Sequence, residues 1–212
     1  MIVRKLFSLF SFYFYRLKVN RSTKLTFGFN SVTFIKFKVN GINNSIKIGN
    51  KCLLRNTSIN IKGNNNSVVF ENNTRVYERL NVLIEGDNCE LIVHCHTTIG
   101  SAKLQLGESS TKVVLGEDCM LSRDIVINTS DFHSILDNLT NKRINKANDV
   151  FIGNHVWIGN GVYINKGAVL NNDSIVAARS VVPGKVFASN SIIGGVPAKV
   201  IKEGVNWDRK KI

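Results

Sequence analysis

The sequence predicts an all-β protein built as a solenoid, and three observations predict it. Aliphatic residues recur every six positions at Ile152, Ile158, Ile164, Leu170, Val176 and Val182. A small or β-branched residue stands four places after the first five of them, at Val156, Val162, Ala168, Ser174 and Ser180. Only two prolines, Pro183 and Pro197, occur in 212 residues otherwise rich in glycine and asparagine, a balance that suits many short strands joined by tight turns. An amphipathic helix repeats its apolar stripe at 3.6 residues and a lone strand alternates at two, so a period of six belongs to neither. If three hexads close one triangular coil, Ile152 lies over Leu170 and Ile158 over Val176, and the stacked aliphatics fill a continuous interior.

From the N-terminus, residues 1–30 read as an apolar and basic segment. Leu6 to Tyr15 is strongly apolar, flanked by Arg4, Lys5, Arg16 and Lys18, and is too short to span a bilayer. Leu6, Leu9, Phe10, Tyr13 and Leu17 recur at helical spacing. Residues 2–18 therefore have two readings: an interfacial helix in peripheral membrane contact, or the plainer one, packing onto the rest of the fold or a neighbouring subunit. The solenoid is predicted over residues 31–202. It opens with hexads at Ile42, Ile48 and Leu54, with Cys52 and Ser58 in the inner small position. Between about residues 60 and 112 the period blurs, although Ser67 to Phe70, Val82 to Ile84 and Leu91 to Val93 still read as strands between Asn/Gly-rich turns. It resumes at Leu115, Leu121 and Ile127, with Cys119 and Ile125 inside. The next aliphatic of the series, Ile152, is twenty-five residues beyond Ile127, which is no multiple of six, so a loop over about 128–149 must leave the coil. Residues 203–212 form a C-terminal tail.

Charge narrows the function. The formal net charge is +13, and residues 1–41 hold eight Lys/Arg and no acid. No stacking-aromatic module accompanies the basic residues, which argues against nucleic acid; a phosphate-bearing cofactor, an acidic glycan and an anionic membrane surface remain as partners. The four cysteines form no CxxC pair and no signal peptide precedes them, so free thiols in a cytoplasmic setting are expected, at the inner face of the membrane if the N-terminal segment touches it. No G-x-S-x-G elbow is present for a serine nucleophile. A zinc site would need three converging histidines; His94 and His96 read as neighbours on one strand face with His133 and His155 elsewhere, so no metal is expected.

The hexad pattern over residues 42–202, most specific in its last third, resembles the hexapeptide-repeat acyltransferases. The resemblance implies a left-handed parallel β-helix, homotrimers with active sites between adjacent subunits, and acetyl-CoA as donor. The stretch from Thr129 through Trp157 (TSDFHSILDNLTNKRINKANDVFIGNHVWIG) is similar to bacterial O-acetyltransferases of sugars and capsular polysaccharides, including those that modify sialic acid polymers. That likeness implies His133 as the catalytic histidine. The chemistry agrees, because acetyl transfer needs a base working near neutral pH to take the acceptor's hydroxyl proton as its oxygen attacks the thioester. Asp131 and Asp137 are alternative partners for the imidazole. Ser130 and Arg143 join Asp137 as candidate acceptor contacts, and Thr140 and Asn145 complete the loop's polar set.

Trp157, where the regular coils resume, is expected to contact cofactor or acceptor near the thioester, or to anchor a subunit interface. The family lays the pantetheine arm along the groove near the C-terminal coils, so the small residues Gly159, Ala177 and Ala178 are candidates for its close approach. Lys166, Arg179, Lys185 and Lys199 are candidates for the cofactor phosphates. The chain departs from the family where Asn171-Asn172-Asp173 and Ala177-Ala178-Arg179 replace glycine-rich turns, and where Val196 stands in place of a common asparagine. The basic N-terminal region points to an acidic acceptor, which the resemblance narrows to a sialic-acid-type glycan. The alternative from another class is a non-catalytic scaffold or glycan-binding β-helix.

Overall fold

The hexads wind into a parallel β-solenoid. The structure, a computed structural model, describes residues 13–212. One strand per coil builds the first face, in parallel order: Lys24–Phe27, Ser45–Ile48, Ser67–Phe70, Glu90–Val93, Lys112–Leu115, Val150–Ile152, Val169–Leu170 and Val186–Phe187. In the later coils the second face carries Met120–Leu121, Trp157–Ile158, Ile175–Val176 and Ser191–Gly195, and the third carries Ile125–Asn128, Tyr163–Ile164 and Val181–Val182. In the earlier coils one long strand bends round both faces, as in Leu53–Lys62, Arg75–Glu85 and Thr98–Leu106, each with a register shift at the bend.

Stacking follows the predicted columns. Ile152 pairs with Leu170 and Ile158 with Val176. The inner residues Val156, Val162, Ala168, Ser174 and Ser180 are all buried, as are Cys52 and Cys119. Burial of hydrocarbon at about 25 cal/mol per Å² makes this continuous column the main source of stability.

The blur between residues 60 and 112 has a simple cause. Late coils repeat every 17 or 18 residues, as Val169 over Val186 and Asn154 over Asn172 show, whereas early ones take 20 to 23, as in Lys24 over Ser45, Asn50 over Asn72 and Asn64 over Asp87. The extra residues widen the corners. Asparagines occupy these corners in the left-handed region, at Asn43, Asn65 and Asn88 (φ 56°, 57° and 58°). Beside them Asn44 and Asn66 are buried, each side-chain oxygen accepting a backbone N–H from the next coil, Asn66 N at 2.9 Å and Cys89 N at 2.8 Å. At Gly63 (φ +142°) an added Cβ would lie 2.0 Å from the Gly86 carbonyl oxygen, so only glycine fits.

Several expectations shift. Ile42 is 52% exposed at a wide corner, not interior, and Ser58 faces outward while Thr57 takes the inner place, because the longer coil offsets the hexad register. The coils begin before residue 31: Tyr13–Val19 pairs in parallel with Val32–Asn40, and Lys24–Phe27 with Ser45–Ile48. Tyr13 and Leu17 therefore lie in a strand rather than a helix; the remainder of the segment 2–18, up to residue 12, lies outside the described residues. Among the described residues no helix is long and apolar enough to cross a membrane. The final residues return to the body. Trp207 stacks on His155 with ring centroids 4.2 Å apart, and Arg209 bonds Asp118 at 2.7 Å and the Cys119 carbonyl at 2.9 Å.

Candidate active site

Residues 129–149 leave the solenoid between the third and first faces and fold as a short hairpin. Leu136 bridges Arg143 in antiparallel fashion, and the Ile144 N–H donates to Ile135 O at 2.9 Å. At the tip, Asp137 Oδ1 accepts from Thr140 N and Thr140 Oγ1, both at 2.7 Å, which makes it a turn cap. Besides Phe132, four large apolar side chains stand out from this finger, with Leu139 93% and Ile144 64% exposed beside Ile135 and Leu136.

At the root, Glu108 from the coil beneath takes both arms of Arg143, at 2.8 and 2.5 Å, and the Ser130 hydroxyl at 2.6 Å. Ser130 is buried, and its oxygen also accepts the Phe132 N–H at 3.0 Å. Phe132 has φ 61°, unusual for a bulky residue, and its ring lies over Gly107, where an added Cβ would sit 2.6 Å from it. This strained turn delivers the next residue, His133, to solvent. Among the described residues its imidazole has no hydrogen-bond partner, while its carbonyl accepts from Asn145 Nδ2 at 2.8 Å.

Neither expected acid reaches that ring. Asp131 Oδ2 binds Lys166 Nζ at 2.5 Å and Asn145 Nδ2 at 2.7 Å, and Asp137 is occupied at the tip. Arg143 and Ser130, expected at the acceptor, both bond Glu108. Lys166, expected at a cofactor phosphate, is paired with Asp131. Glu108 was missed in the sequence; the signal was available, because it lies 22 residues before Ser130, one early coil length.

The other expected residues fall on different edges. Gly159, Ala177, Ala178 and Arg179 share the corner between the second and third faces. At Gly159 a Cβ would meet Ala178 N at 2.7 Å, so the close stacking of the coils itself requires glycine there. Lys185 stands exposed on the corner between the third and first faces, above Lys166, and Lys199 is exposed on Ala198–Glu203. Trp157 is 39% exposed on the second face, 6.0 Å from Trp207 and away from the corner that carries the finger. A polar cavity of about 510 Å³ opens at the loop's root, lined by Glu108, Ser110, Thr111, Arg143, Lys146 and Asp149.

His94 and His96 lie in the turn after Glu90–Val93, not on a strand, and with His155 they occupy the corner between the first and second faces. His155 Nδ1 is 2.9 Å from Asp173 Oδ1. On the same corner the ligand atoms of Glu71, Cys95 and Glu117 approach within 4.8 Å of one another. That group is on a different edge from His133. Burial pushes the Cys119 thiol up to about 11 and raises that of Cys52, as befits interior residues rather than nucleophiles.

Electrostatics tie loop order to pH. Glu108 is held below the usual carboxylate range chiefly by the Arg143 guanidinium, and Asp131 chiefly by Lys166. Depressed carboxyls stabilise the folded loop above the unfolded value, about 4, and that contribution is lost as pH falls through the lower folded values. Backbone amides of residues 130–146 are therefore expected to lose hydrogen-exchange protection below about pH 4 while the coils retain theirs. Equal retention in loop and coils would contradict this.

Residues 149–184 match the family described as bacterial transferase hexapeptide (six repeats). The polysialic acid O-acetyltransferase of Neisseria meningitidis is 33% identical over 191 residues, covering 80% of this chain and 88% of that protein. The crystal structure of the polysialic acid O-acetyltransferase OatWY superposes with a TM-score of 0.78 at 28% identity, covering 94% of this chain and 93% of that one. The polysialic-acid-specific acetyltransferase NeuO gives 0.73 at 30% identity, with 92% and 89% covered. Solenoid, protruding finger and similarity along nearly the whole length agree, and the chain belongs to the hexapeptide-repeat acetyltransferases, among relatives of the polysialic acid O-acetyltransferases.

Proposed function

We propose that this protein transfers acetyl from acetyl-CoA to a hydroxyl of a sialic acid polymer, with His133 as general base, in sites formed between subunits of a homotrimer. The observation that carries the reading is the finger itself: a strained, clamped turn holds in solvent an imidazole with no hydrogen-bond partner among the described residues, on a chain similar to polysialic acid O-acetyltransferases over most of its length. The imidazole takes the acceptor's hydroxyl proton as the oxygen bonds to the thioester carbonyl carbon. The carbon–sulfur bond then breaks, and the departing thiolate recovers the proton from the imidazolium, so the base is regenerated.

The distribution of the remaining candidates supports a shared site. The finger occupies one edge of the prism, whereas Ala177, Ala178 and Arg179 occupy another and Trp157 a face, a placement that supports a neighbouring copy bringing the second set to the first. The exposed apolar side chains of the finger suit such a contact. Arg179, Lys185 and Lys199, on the late coils, serve the cofactor phosphates, and Trp157 serves the thioester end. The cytoplasm, where acetyl-CoA is made, is the matching location, at the membrane's inner face if residues 2–18 touch lipid.

The test is thiol release from acetyl-CoA with polysialic acid, neutral glycans and no acceptor, alongside sedimentation of the purified protein. Release that requires the acidic polymer, falls with added salt and accompanies a trimer is expected. Equal release with neutral glycans would overturn the acceptor assignment, and a fully active monomer would overturn the shared site.

A further inference from the structure

Among the described residues no carboxylate orients the imidazole proposed as base, so its placement comes from the backbone that carries it. Three alternate residues of that backbone, Asp131, His133 and Ile135, converge on one side chain. Asn145 Nδ2 donates to Asp131 Oδ2 at 2.7 Å and to the His133 carbonyl at 2.8 Å, while Asn145 Oδ1 accepts the Ile135 N–H at 2.7 Å and Arg143 Nε at 3.2 Å. Only a short primary amide offers donors and an acceptor at this reach. Aspartate would lose both donations and face Asp131, and leucine would lose every bond.

The amide is in turn fixed to the solenoid. Lys166, between Tyr163–Ile164 and Val169–Leu170 in the coil after the loop, donates to the Asn145 carbonyl at 2.9 Å and pairs with Asp131 at 2.5 Å. Its side chain is only 21% exposed. A rigid rung thus reaches out and holds both strands of the finger at the level of His133.

We propose that Asn145 and Lys166 are positioning residues for His133, Asn145 clamping the peptide that bears the imidazole and Lys166 anchoring that clamp to the coil. The inference rests on the reading of His133 as base, and it removes Lys166 from the set that meets cofactor phosphate. Misplacement of a reacting group by about 1 Å costs on the order of 10²-fold, which sets the expected scale.

The experiment compares Asn145→Ala, Asn145→Asp, Lys166→Met and Lys166→Arg in the full-length protein, each alone and with His133→Ala. For the two Asn145 variants and Lys166→Met, kcat is expected to fall about 10- to 100-fold with KM for acetyl-CoA within about twofold, and Lys166→Arg to recover most of the loss. In the His133→Ala background the same changes should add nothing. A raised KM for acetyl-CoA with kcat intact in Lys166→Met would overturn the proposal in favour of a phosphate contact, and additive losses in the double variants would overturn it as well. The Ile135 amide supplies a readout separate from catalysis, since its exchange protection depends on Asn145 Oδ1. If His133→Ala stays fully active while Asn145→Ala exposes that amide, the base reading fails and the clamp stands as structure alone. If the amide is unchanged, the clamp itself is refuted.

Discussion

Replacing His133 with alanine is expected to lower turnover about 10²–10⁴-fold while leaving the fold intact. The size follows from the base's task, because no other described imidazole lies on the finger's corner and the two nearby carboxylates are tied to Lys166 and to the Thr140 turn. The intact fold follows from position. His133 is exposed, its ring makes no hydrogen bond among the described residues, and its contribution to the clamp is a backbone carbonyl that alanine retains. Steady-state kinetics with polysialic acid, paired with thermal unfolding, checks both halves. Turnover within a fewfold of the parent in a normally melting variant would remove the histidine from the mechanism.

Phe70→Ala is expected to cost about 3–5 kcal/mol of stability, the largest loss anticipated from any single change in the coils. Phe70 is fully buried on the first face and pairs in register with Ile48 below and Val93 above, so truncation opens a void in the interior column. In a solenoid each coil touches only its neighbours, and a rigid backbone ladder on all three faces limits how far they can collapse into the gap. Chemical denaturation followed by far-ultraviolet circular dichroism reads the loss as a lowered midpoint. A shift worth under about 1 kcal/mol would mean that the column is not packed as continuously as the register implies.

The fold is legible in the amino-acid order wherever a residue's role depends on neighbours at a constant spacing. The period of six from Ile152 to Val182 named the inner column correctly, and the twenty-five-residue gap before Ile152 located the loop. The same reasoning failed at Ile42 and Ser58, because coils of 22 or 23 residues carry extra corner residues whose number the pattern does not declare. It also separated the first thirty residues from the body, although Tyr13–Val19 and Lys24–Phe27 contribute strands to it. Two strands carry too few residues to display a period.

The loop shows the division most clearly. Residue type alone put a histidine and several polar partners on it, yet the pairing of those partners came out otherwise: Arg143 with Glu108, Asp131 with Lys166, and Asn145 with the His133 peptide. These partners lie 35, 35 and 12 residues apart. The order of residues along the chain was therefore enough to specify the solenoid and the place where it is interrupted, since both depend on local periodicity, whereas His133 was singled out on that loop by its likeness to the sugar O-acetyltransferases. Which charges neutralise one another, and which edge of the prism each candidate occupies, was decided only when the coils stacked, because stacking brings residues one or two turns apart into contact and no local rule chooses among them.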